Sequence, residues 1–174
     1  YSVMKNHEGL ITVESEPGAG AVFHVYLPAS AGREAEKPVV NREPVSGNGR
    51  VLVMDDEAIL RDFIEELLGM LGYEVQGTAD GLEAIKAYQT ARETGKPFDC
   101  VLMDLTIPGG MGGKETIKRL LEIDPSVKAI VSSGYCDDPV MADYRKHGFR
   151  GMVAKPYDAE GLSAVLYQVI AEDH

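Results

Sequence analysis

Four short strings in this chain end in side chains that can do phosphoryl chemistry. Val51-Leu52-Val53-Met54 stops at Asp55-Asp56-Glu57, and Cys100-Val101-Leu102-Met103 stops at Asp104. Val127 to Val131 runs into Ser132-Ser133-Gly134, and Met152-Val153-Ala154 runs into Lys155-Pro156. Three carboxylates brought together repel one another unless a cation sits among them. They are hard oxygen donors, so Mg2+ is the natural occupant, with Mn2+ as a substitute. Lys155 adds a second positive charge for Asp104 or an incoming phosphoryl group. Ser133 offers a hydroxyl to a phosphoryl oxygen. Asp104 is then the nucleophile, and the metal and the lysine neutralise the charge that develops on the transferred group. Taken singly, each residue has an ordinary explanation, since an Asp after a strand is commonly a turn or helix cap. The shared form of the four strings is what argues for a site.

The elements that must position these residues follow from periodicity. Each string reads as a strand buried on both faces, because its apolar run is unbroken. Leu60, Phe63, Ile64, Leu67, Leu68 and Leu71 recur at helical steps, and Gly72 stops them. Tyr73 to Thr78 reads as a strand. Asp80 is a plausible N-cap for a helix that turns Ala84, Ile85 and Tyr88 inward. Gly109-Gly110-Met111-Gly112-Gly113 reads as a flexible loop. It is followed by a helix with Ile117, Leu120 and Leu121 on one face, ending before Pro125. A short helix is expected near Asp138-Pro139, and a final one buries Leu162, Val165, Leu166, Val169 and Ile170. Five strands alternating with five helices call for an α/β fold, a parallel sheet covered on both sides. Ligands of such sheets bind outside the carboxyl ends of the strands, where Asp55-Asp56, Asp104, Ser133 and Lys155 all fall.

The bulk numbers narrow the class. The chain has 174 residues and a formal net charge of -11, which argues against a nucleic-acid partner. No apolar run approaches the roughly 20 residues a membrane span needs, and no direct membrane contact is expected. Cys100 and Cys136 lack metal spacing. Cys100 reads as a small core hydrophobe, and a reducing, cytoplasmic setting suits both. Upstream, residues 1–9 read as the last turns of a helix. Leu10 to Ser15 and Ala21 to Leu27 read as a hairpin joined by Glu16-Pro17-Gly18-Ala19-Gly20. A lone hairpin is marginal in water, so its apolar face calls for a cover. Residues 29–49, rich in Pro, Gly, Ala, Ser and charge, read as a linker. Tyr1 carries no start signal, and the chain is expected to be a segment of a longer protein.

Residues 50–172 resemble a response-regulator receiver domain. The resemblance rests on V-L-V-M-D-D-E, V-L-M-D-L-T-I-P, I-V-S-S-G and M-V-A-K-P. It implies a five-stranded, doubly wound, flavodoxin-like sheet of order 2-1-3-4-5 over residues 50–174. It implies Asp104 as phosphoacceptor, Asp56 as direct Mg2+ ligand, Asp55 acting through a metal-bound water, and Thr106 offering its backbone carbonyl. The spacing to Lys155 fits Ser133 as the switch hydroxyl better than Ser132. Two departures stand out. The loop after Pro108 is one residue longer than the family's usual pattern. Met152 stands where the family often has a switching aromatic, which makes Met152 and Tyr135 the alternative switch candidates.

Residues 5–28, K-N-H-E-G-L-I-T-V-E-S-E-P-G-A-G-A-V-F-H-V-Y-L-P, resemble the closing strands of the ATP-binding domain of histidine kinases. That family's asparagine helix, its Asp-x-Gly-x-Gly loop and the phosphorylatable histidine are not in this sequence. The segment is therefore expected not to bind ATP, and to catalyse only phosphorylation and dephosphorylation of its own aspartate. Together the two resemblances imply a hybrid sensor histidine kinase: residues 1–28 a kinase remnant, 29–49 a linker, 50–174 the receiver. The implied partners are the kinase core of the same parent and a histidine phosphotransfer protein. The alternatives are a docking module that works without phosphorylation, an aspartyl phosphatase (Thr106 stands where that pattern has a second Asp), and a nucleotide-binding doubly wound domain (no Gly-rich loop follows the first strand).

Overall fold

The computed structural model describes residues 4, 7–18, 20–29, 44–134 and 139–171. The chain divides into two units, Tyr1–Asn41 and Arg42–His174. The first unit holds an antiparallel hairpin of β1 (Leu10–Glu16) and β2 (Gly20–Tyr26), in register from Leu10 opposite Tyr26 to Glu16 opposite Gly20. Both faces of the hairpin are open: Leu10, Val13, Val22, Phe23, Val25 and Tyr26 are all exposed. The expected helix over residues 1–9 lies mostly outside the described residues, as do residues 30–43 of the expected linker.

The second unit is a five-stranded parallel sheet with helices. Its elements are β3 (Gly49–Met54), α1 (Ala58–Met70), β4 (Tyr73–Thr78), α2 (Gly81–Glu93), β5 (Cys100–Asp104), α3 (Gly113–Ile123), β6 (Ala129–Ser133), α4 (Pro139–Ala142), a 3-10 turn at Tyr144–His147, β7 (Gly151–Ala154) and α5 (Ala159–Ala171). The strand order is β4-β3-β5-β6-β7, every pair parallel. Counted within this sheet, that is the expected 2-1-3-4-5 order. It reverses direction between β3 and β5, which opens a crevice at their carboxyl ends.

Two cores, one on each face of the sheet, hold it together. Successive residues of a strand point to opposite faces. Leu52, Met54, Val101 and Met103 therefore face one way, onto Ala84, Tyr88, Ile117 and Leu120 of α2 and α3. Val51, Val53, Cys100 and Leu102 face the other way, onto Ile64, Leu68, Leu162 and Leu166 of α1 and α5. Cys100 is 1% exposed, and burial pushes its thiol up to about 12, so it serves as a core hydrophobe. Phe63, expected on the inward face of α1, is exposed. Ile64 and Leu68 form the centre of the buried stripe, and a residue one step of 100° away from Ile64 falls on its flank. Among the described residues, no helix is long and apolar enough to cross a membrane.

Several local signals work as read. The Asp80 side chain caps α2 by accepting from the Glu83 N–H at 3.0 Å, while the Glu83 carboxylate accepts from the Ala79 N–H at 2.9 Å. This reciprocal pair satisfies two otherwise unpartnered donors. Gly72 follows the end of helix α1 with φ 99°, a conformation that glycine adopts without strain.

The chain just before β3 packs on the α/β unit. The Val45 N–H donates to the buried Ser163 hydroxyl at 3.1 Å, and the Gly47 N–H donates to the Leu71 carbonyl at 2.9 Å. A Cβ on Gly47 would lie 2.0 Å from the Tyr73 hydroxyl. Deleting residues 44–48 removes both bonds and exposes Ser163. At about 0.5–1.5 kcal/mol per bond, urea denaturation is expected to show a loss of about 1–3 kcal/mol between chains starting at Pro44 and at Gly49. Equal midpoints would mean that this stretch is only a passive lead-in.

Candidate functional site: an acidic cleft at the strand ends

The carboxyl ends of β3, β5, β6 and β7 deliver the expected residues to one place. A cleft of about 320 Å³ is lined by Asp56, Glu57, Asp104, Thr106, Pro108, Ser133, Gly134 and Lys155. Carboxylate oxygens of Asp55, Asp56 and Asp104 all lie within 4.8 Å of one another. The first residue past β3, Asp55, is 1% exposed, and Asp104 at the end of β5 is 9% exposed, whereas Asp56 is open to solvent.

Lys155 is the hub. Its ammonium donates to Asp55 Oδ2 at 2.6 Å and to Asp104 Oδ2 at 2.7 Å. Burial by itself pulls that ammonium down, but the two carboxylates outweigh it and hold Lys155 above the ordinary lysine range. It is therefore a fixed positive charge at any physiological pH. The Lys155 N–H donates to the Ser133 carbonyl at 2.9 Å, which sets the lysine and the serine at neighbouring strand ends. The Lys155–Pro156 peptide bond is cis. Beside them, burial and the two acidic groups raise the Tyr157 phenol to about 12, so it remains neutral.

The other carboxylate oxygens are held by the backbone. Asp55 Oδ1 accepts from the Glu57 N–H at 3.0 Å, and Asp104 Oδ1 accepts from the Thr106 N–H at 3.3 Å. Each of these carboxylates is thus oriented by one ammonium and one amide. Asp56 points into the cleft free of such bonds. The set of three clustered carboxylates, one of them free, is a hard-oxygen donor set. It fits a small divalent cation that keeps part of its water.

Ser133 is 3% exposed and lines the cleft. Ser132 instead donates to the Met103 carbonyl at 3.4 Å and belongs to the packed ladder. Thr106 is exposed at the cleft wall. Met152 is 41% exposed on the edge strand β7. Tyr135 lies outside the described residues.

The loop after Asp104 differs from the flexible segment expected. Ile107 to Gly110 is a turn closed by the Gly110 N–H on the Ile107 carbonyl, with Pro108 second and Gly109 third at φ 73°, the requirements of a type II turn. The next glycines serve close packing. A Cβ on Gly112 would lie 2.4 Å from the Leu105 carbonyl oxygen, and one on Gly113 2.8 Å from that of Asp104. The Gly81 N–H donates to the Met111 carbonyl at 2.9 Å, which latches the loop to the start of α2. Glycine-rich composition signals both mobility and close backbone approach, and here the second applies.

Sequence reasoning missed Arg61 on α1, whose guanidinium donates to the Asp55 carbonyl oxygen at 2.5 Å. A charged residue on the partly exposed side of a helix gives no signal of its own.

This fold and this cleft define a class, and comparison with known proteins agrees. Residues 51–167 match the model of the response regulator receiver domain, and the chain belongs to that family. It is a receiver domain of two-component signalling, with a hairpin ahead of it. Chemotaxis protein CheY of Thermotoga maritima is 35% identical over 69% of this chain and 96% of its own length. The sensor kinase CckA of Brucella abortus is 28% identical over 98% of this chain, which spans 18% of that kinase. Among solved structures, the receiver domain of the sensor histidine kinase PA1611 from Pseudomonas aeruginosa PAO1 superposes with a TM-score of 0.63 at 23% identity, over 72% of this chain and 100% of that one. That structure is described as having a magnesium ion coordinated in its active site cleft.

Proposed function

We propose that Asp104 accepts a phosphoryl group from a phosphohistidine, with Mg2+ bound at Asp55, Asp56, Asp104 and the Thr106 carbonyl. The observation that supports this most is Lys155 bonded to both Asp55 and Asp104 at the mouth of a three-carboxylate cleft. When bound, the ion supplies positive charge to the phosphoryl oxygens. The chain's own residues do the rest. The Thr106 N–H orients the Asp104 carboxylate, an oxygen of which attacks phosphorus. The new O–P bond forms as the P–N bond to the donor imidazole breaks, and the imidazole leaves with the bonding pair. Lys155 shifts its charge towards the transferred group, and Ser133 donates to one of its oxygens. The same residues act when water later attacks the phosphoaspartate.

The chain is best understood as part of a hybrid sensor histidine kinase acting in the cytoplasm. Similarity to CckA over nearly the whole chain supports this. In that reading the hairpin closes the ATP-binding domain, the expected linker, shortened at its end by the packed residues 44–49, raises the effective concentration of kinase and receiver, and the phosphoryl group passes to a histidine phosphotransfer protein or the receiver regulates its own kinase. The test is incubation with a purified phosphorylated histidine phosphotransfer protein and Mg2+. Label moving to this chain, and returning when unphosphorylated acceptor is added in excess, is the expected result. No transfer from any such donor, with the fold intact, would leave a docking module.

A further inference from the structure

We propose that Arg61 is a positioning residue for the acidic pair: its guanidinium clamps the Asp55 carbonyl and thereby sets the carboxylates that face the cleft. The proposal deepens the phosphoacceptor reading above, and its first test is independent of that reading.

Asp55 lies where a strand becomes a turn, so its backbone is not fixed by the sheet ladder on both sides. Its N–H donates to the Thr78 carbonyl at 3.1 Å, across to β4. Its carbonyl oxygen accepts from Arg61 Nη1 at 2.5 Å. The peptide plane that leads into Asp56 is therefore held by a side chain from α1. A hydrogen bond from a charged donor is stronger than one between neutral groups. The Asp55 carboxylate is in turn held by the Glu57 N–H, so a turn of the Asp55–Asp56 plane would disturb that bond and redirect Asp56. The arginine stem is guided as well. Arg61 Cδ lies 3.4 Å from where a Cβ on Gly77 would stand, and glycine leaves the stem room to cross β4 towards the turn.

Arg61 also brings a positive charge near the cation site, which by itself would weaken cation binding. That effect is small because the residue is partly exposed and solvent and salt screen it. The alignment of the carboxylates outweighs it.

The test compares Arg61→Met, which keeps the stem and loses the donor, with Arg61→Lys, which keeps a cationic donor. Amide exchange is followed by NMR in the full chain without metal. In Arg61→Met, protection of the Asp55 and Glu57 amides is expected to fall about tenfold or more, with core amides of β5 and β6 unchanged. Arg61→Lys restores most of it. Unchanged protection in Arg61→Met, or a loss that Arg61→Lys does not reverse, overturns the clamp. A second arm titrates Mg2+ against the same amide shifts. The apparent Mg2+ constant of Arg61→Met is expected to be about three- to tenfold weaker, and an equal or tighter constant contradicts the proposal. If the unsubstituted chain binds no Mg2+, the phosphoacceptor reading fails, while the exchange arm still decides the clamp.

Discussion

Asp104→Asn is expected to lose phosphoryl labelling altogether, by a factor of about 100 or more in rate, while folding normally. The amide nearly matches the carboxylate in shape, and its single oxygen can keep the Lys155 contact, 2.7 Å in the parent, while the Thr106 N–H, which the other carboxylate oxygen accepts at 3.3 Å, loses its acceptor. It carries no negative charge and is a poor nucleophile toward phosphorus. The stability change is expected to stay within about 1 kcal/mol, because one carboxylate–ammonium contact weakens as repulsion among three clustered acids is relieved. Tryptic mapping of the labelled protein checks the assignment. Label that persists in Asp104→Asn, or that maps to Ser133 or Thr106, would assign the chemistry to a hydroxyl.

Lys155→Met is expected to have opposite effects on chemistry and on cation binding. Without the ammonium, Asp55 and Asp104 keep one backbone donor each but face one another as buried, uncompensated charges. Breaking one side of such a cluster costs about 2–4 kcal/mol, seen as a lower urea midpoint in chelator. Mg2+ then recovers more stability in the variant than in the parent, since a ligand that binds only the folded state stabilises it by mass action. Phosphorylation by acetyl phosphate nevertheless slows, by about 10²-fold or more, because a charge aimed at the transferred group is gone. Unchanged stability in chelator together with labelling within a few-fold of the parent would show that the Lys155 contacts carry neither the fold nor the reaction.

Much of this structure is written locally in the sequence. The strands that end at Asp55, Asp104, Ser133 and Lys155 show as short apolar runs because both faces of the sheet are covered. Helices α2 and α3 show because their buried residues recur at helical steps and Asp80 caps one of them. Alternation of strands and helices then forces a parallel sheet, and a parallel sheet puts all four strand ends on one edge. What stayed hidden depends on distant partners. Periodicity put Phe63 inside, but only the packed sheet fixes where the stripe on α1 is centred. The glycines at 109–113 signalled freedom, yet Gly112 and Gly113 are needed because the Leu105 and Asp104 carbonyls lie against them. Val45 and Gly47 read as linker because their partners, Ser163 and Leu71, are remote in sequence. Arg61 was invisible for the same reason, since its partner is a carbonyl, which every residue has.

The cleft is proposed as a working, metal-dependent phosphoacceptor site. The most direct measurement is the intact mass of the unsubstituted chain after incubation with acetyl phosphate, with Mg2+ and with excess chelator in parallel. A single phosphoryl group is expected to be added with Mg2+, lost on mild base treatment as an acyl phosphate is, and none in chelator. No addition under either condition, with amide shifts showing a folded domain and bound Mg2+, would contradict it.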